Sequence, residues 1–261
     1  MCCFSGPVTS VTNTRIFARG EPDGRQNLVY RMDLTTDAAV AMVLPIPVPP
    51  QTAESAVTFI DLSGYASFFT DLAMAWTPPK AQWTLFGSAR AAAAAPAPAP
   101  LEVHSVGSFE TSFVPTIADF ARLDLRFRLP DNTWATLPQY RTYGFVVFKL
   151  KAGKQAVQPM AFRFPRADAK SLFFPTVHIH DGIVHTQADF DHELYLQDIP
   201  DERLDLGGFV ESDQIGKQVM QLDKCQGLVA GDAHFRRLKL TGARDNTDIV
   251  VAQRQSHFLR W

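Results

Sequence analysis

The stretch AVAMVLPIPVPP, residues 39 to 50, constrains the fold of this chain more than any other. From Ala38 to Leu44 the sequence is apolar throughout, and by its length and its bounding prolines it reads as a buried strand. Prolines at 45, 47, 49 and 50 follow at once; each fixes φ and lacks an amide hydrogen, so the chain must leave that strand extended. A core strand of this kind needs sheet around it, and the composition supplies it. Phenylalanine occurs 20 times, and aromatic and β-branched side chains suit a pleated, half-buried surface. The expectation is an α+β fold in which antiparallel sheet dominates and helices are few and short.

The rest of the chain fits that frame. Residues 8 to 18 and 27 to 34 flank the turn-rich GEPDGRQ and predict an antiparallel hairpin. TAESAVTFIDLSGYASFFTDLAMAW, residues 52 to 76, predicts one or two short helices divided at Gly64. A strand is expected over 103 to 114, a helix beginning at Pro115, and strands at YGFVVFKLK and QPMAFRFP, with a last strand near residues 248 to 252. ARAAAAAPAPAP, residues 89 to 100, is low in complexity, and its alternating prolines favour an extended, solvated segment. It divides the sequence into a β-rich half with short helices, 1–88, and a second β-rich half, 101–261. Alternatively it is an insertion within a single domain spanning 1–261, since long loops cost little closure entropy.

Charge and length exclude several functions. A formal charge of -2 leaves no basic excess for nucleic acid or anionic lipid, and no apolar run is long enough to span a bilayer. The start, MCCFSGPV, lacks the pattern of a secretory leader, so the expected compartment is the cytoplasm and the expected partner a small molecule or a protein. Three cysteines, two of them adjacent, are expected to be reduced thiols.

The chemistry-bearing stretch is FPTVHIHDGIVHTQADFDHELY, which holds four of the seven histidines. Asp-Gly is the strongest short hairpin signal. With Asp181 and Gly182 at the turn, His178 falls opposite His185 and shares a face with His180, because strand side chains alternate. Asp189 and Asp191 continue that face, while His192 falls with Phe190 on the core side. Three imidazoles supported by carboxylates suit a divalent zinc, iron or copper ion, so a metal-binding protein or metalloenzyme is the first functional expectation. An exposed polar hairpin face is the plainer alternative, leaving a non-catalytic interaction module.

Cys2 suggests a second chemistry. Loss of Met1 would leave its α-amine beside its thiol, the arrangement of an N-terminal nucleophile. Phe17-Ala18-Arg19 is similar to the segment after the first strand of cysteine-type N-terminal-nucleophile amidases, but Gly20, Glu21 and Pro22 depart from their pattern. A broader likeness covers roughly residues 2 to 180. The cysteine-containing start, AMVLPIPVPP, and VGSFETSFV, LPQYRTYGFVVFKLK, VQPMAFRFP and FFPTVHI in that order resemble an uncharacterised bacterial family. That resemblance implies a fold and no activity.

Overall fold

The computed structural model describes residues 2–77, 101–129, 131–180, 183–197 and 204–253, with the backbone alone at Cys2, Asp131 and Asn132. Among the described residues sixteen strands carry the fold. They are β1 (Cys2–Phe4), β2 (Ser10–Gly20), β3 (Arg25–Thr36), β4 (Val40–Ile46), β5 (Thr58–Ile60), β6 (His104–Val106), β7 (Phe109–Val114) and β8 (Gly144–Leu150). The remainder are β9 (Gly153–Ala156), β10 (Met160–Pro165), β11 (Ser171–Phe174), β12 (His178–Ile179), β13 (Gln187–Gln197), β14 (Val210–Ile215), β15 (His234–Asp245) and β16 (Ile249–Ala252). Helices are short: α1 (Phe68–Ala73), α2 (Asp131–Ala135), α3 (Gly216–Val219) and several single 3₁₀ turns.

Two large sheets result. One has six strands in the order β12-β1-β4-β8-β7-β6; the other has eight, ordered β14-β15-β13-β2-β3-β10-β5, with β9 added beside β3. Strands from before and after residues 89 to 100 share both sheets. Most pairings are antiparallel, as expected, but β1 joins β12 and β2 joins β13 in parallel, so the sheets are mixed.

The apolar run that opens the argument explains the layering. Along β4, Val40, Met42, Leu44 and Ile46 enter the core between the sheets, while Ala41 and Val43 enter a second core on the other face. Both faces are buried, so the sequence shows no polar alternation. The inter-sheet core takes Leu28, Tyr30 and Met32 from β3, Val146 and Phe148 from β8, and Phe190, Leu194 and Leu196 from β13. Outside the six-stranded sheet, Phe120, Trp134 and Tyr140 cover Phe145 and Val147. Outside the eight-stranded sheet, α1 and residues 220–229 cover Phe17, Val29 and Tyr195. The two large sheets lie face to face, each capped by irregular segments, and β11 and β16 form a separate two-stranded sheet.

Several local expectations are corrected. Gly64 lies inside a 3₁₀ turn, Ser63–Tyr65, and does not divide two helices. The segment after Pro115 makes two 3₁₀ turns, Ile117–Arg122 and Leu125–Phe127, the second capped by Asp124 accepting from the Arg126 amide. Residues 103 to 114 form two paired strands and not one, because Gly107 turns the chain at φ 57°, with Asp61 so close that a side chain there would meet its carboxylate at 2.7 Å.

Candidate functional site

The histidine stretch folds differently from the hairpin its Asp-Gly predicts. Residues 181 and 182 lie outside the described residues, yet the strands on either side settle the register. β12 pairs with β1 at the edge of the six-stranded sheet, setting His178 opposite Cys2, whereas β13 runs between β15 and β2 in the other sheet. Among the described residues no ladder joins 178–180 to 183–185, so His178 does not face His185. The local turn signal was outweighed by pairing with the far end of the chain.

A different triad of imidazoles comes together instead. Val177 and Ile179 point into the outer core of their sheet, so by alternation His178 and His180 face the other sheet. On β13 the residues Phe190, Leu194 and Leu196 face inward, and His192 stands among them. The ring centroids of His178 and His180 are 5.1 Å apart, and those of His178 and His192 4.7 Å. Phe190 packs against both His178 and His192, and Phe4 against His180. Two histidines of one sheet thus meet one of the other across the mouth of the sandwich.

A cleft of about 480 Å³ opens there. His178, His180, His185, Asp189 and Asp191 all line it, so the five residues named from the sequence share one cavity although their strands do not form the expected hairpin. His185 sits at its exposed rim. Asp191 is held by an irregularity in β2: Asn13, in left-handed backbone at φ 54°, donates its amide hydrogen to Asp191 Oδ2 over 2.5 Å and its side-chain amide to Asp33 over 2.6 Å. Burial pushes the Asp191 carboxyl above its ordinary range.

Burial has the opposite effect on the imidazoles. His178 is lowered to about 3, by desolvation and then by the neighbouring His180; His192 is lowered to about 2, by desolvation and then by His178. Both are neutral at physiological pH. Neutral imidazole is the form that binds metal, but among the described residues no three His, Cys, Asp or Glu side chains stand as a formed coordination group. The rings pack tilted, at 51° and 48°.

Two supporting residues carried no signal in the sequence. Asn246 accepts from the His178 amide over 2.7 Å and donates to the carbonyls of His178 and His185, each over 2.9 Å, tying both arms of the histidine stretch together. Asp248 accepts from the amides of Thr176 and Val177 and from the Tyr140 hydroxyl. Both lie about 70 residues from the segment they hold, beyond any local pattern. Cys2 comes beside His178 through the backbone register, so the two clues of the sequence do meet in the fold.

The architecture places the chain among proteins built on paired, mixed β-sheets. No family model and no curated protein matches it, and the resemblance to the bacterial family rests on the sequence segments alone. Among solved structures, a mutated baculovirus P35 after caspase cleavage is similar at a TM-score of 0.50 and 11% identity, over 92% of this chain and 99% of that one. Baculovirus P35 is similar at 0.46 and 12%, over 94% and 97%, and a chain of the caspase-8/P35 complex at 0.47 and 11%, over 93% and 96%. At such identity the likeness is one of fold. Among the described residues no helix is long and apolar enough to cross a membrane.

Proposed function

We propose that this chain works by binding another protein, and that the partner is a protease of the caspase kind. The observation that carries the reading is the end-to-end correspondence of fold, 92% of this chain on 99% of the other, with a P35 recorded after caspase cleavage. The interaction module weighed from the sequence is therefore preferred to a hydrolase centred on Cys2.

The test is direct. Purified protein is incubated with a panel of caspases while intact mass follows cleavage and a fluorogenic peptide follows protease activity. The reading predicts cleavage at one position and retention of the cut chain on the protease, with peptide hydrolysis slowed at least tenfold. A panel in which no member cuts the chain, co-elutes with it or loses activity contradicts it.

A further inference from the structure

The inner face of β13 holds a polar anomaly that protein binding does not use. His192 is 1% exposed, surrounded by Phe190, Leu194 and Leu240, and neither of its ring nitrogens makes a hydrogen bond. Nε2 of His178, a residue 9% exposed that lines the cleft, is likewise buried without a hydrogen-bond partner. Thr14, paired directly with His192 across β2 and β13, is fully buried and its hydroxyl is in the same state. Each unmade buried hydrogen bond destabilises the fold. Native cores hold few such groups, and a cluster of them marks the place of an ion or an ordered water.

The spacing of His178 from His180 and from His192 is compatible with an ion. A tetrahedral zinc-class ion takes imidazole nitrogen at about 2.0–2.1 Å, which places each ring centroid roughly 3 Å from the metal and neighbouring centroids roughly 5 Å apart. The observed separations are 5.1 and 4.7 Å. As they stand the rings are not a formed coordination group, and the terminal torsion of histidine is broad enough to turn them without moving the backbone. Asp191 Oδ1 lies 3.7 Å from His192 Nδ1, beyond a hydrogen bond as the ring stands; once the ring turns, a carboxylate there orients a ligating imidazole through its other nitrogen. The partners come from two sheets, so an ion here would tie β12 to β13 at the mouth of the sandwich.

We propose that His178, His180 and His192 bind one zinc-class ion across the mouth of the two sheets, with Asp191 as the positioning residue of His192. The fourth position faces the cleft. This replaces His185 of the sequence expectation with His192, and it stands whether or not the partner protein is a protease.

The full chain, stripped with a chelator, is titrated with cobalt(II) and then with zinc, following the visible bands of tetrahedral cobalt. The expected result is saturation at one ion per chain, displacement by zinc, and an unfolding midpoint raised by zinc. His185→Ala leaves the titration unchanged, and His192→Ala weakens it at least tenfold. Because His192→Ala opens a core position, Asp191→Asn is measured beside it and is expected to weaken binding roughly 10–100-fold in a folded protein. Absence of saturable tetrahedral cobalt binding overturns the proposal. So does loss of binding in His185→Ala with retention in His192→Ala, or a titration that His178→Ala and Asp191→Asn both leave intact.

Discussion

His192 shows how a single residue can satisfy the pattern of a strand and violate its chemistry. Its place in β13, between inward-facing Phe190 and Leu194, calls for an apolar side chain, and alternation alone puts it in the core. An imidazole there can stay only as the neutral form. Folding takes two imidazoles whose ordinary value is 6.5 and holds His178 neutral to about pH 3 and His192 to about pH 2. Below pH 6.5 the unfolded chain therefore binds protons that the folded chain refuses, and stability falls as pH falls. Each residue contributes about 1.4 kcal/mol per pH unit in that window. The metal-free protein is expected to lose about 3 kcal/mol between pH 7.5 and pH 5.5, measured by urea unfolding, and His192→Phe is expected to halve that loss. A stability that holds constant over the same range contradicts the burial of these rings.

At the scale of elements, the sequence was legible wherever the decisive partner lay nearby or the burial was two-sided. The β2–β3 hairpin follows from turn residues a few positions apart, and β4 from seven apolar residues that both faces of a sheet accept. The histidine stretch was legible in its composition, and all five residues named from it line the cleft. Its pairing was not, because β12 takes its neighbour from residues 2 and 3, at the other end of the chain. Asp-Gly reports a local turn preference and carries no information on a partner so distant. Asn246 holds the arms that the expected hairpin ladder would have held. Asn246→Ala is expected to cost about 2 kcal/mol, from three lost hydrogen bonds with partial replacement by water, and to speed amide exchange at His178 selectively. Unchanged protection at that amide would show that the strand is held by other means.

At the scale of the whole molecule, the two sheets are built from strands far apart in the chain. β1 lies between β4 and β12, and β13 lies between β15 and β2. Such pairing decides where the histidines go: two belong to the six-stranded sheet and one to the eight-stranded sheet, so they meet only when the sandwich closes. The likeness to a mutated P35, at a TM-score of 0.50 and 11% identity, is one of fold. The most direct test of that arrangement is a proton NOE spectrum of the protein with labelled histidine rings. Rings whose centroids lie 4.7 Å apart predict clear cross-peaks between His178 and His192. Cross-peaks joining His178 to His185, with none to His192, would restore the hairpin and contradict the sandwich as the source of the site.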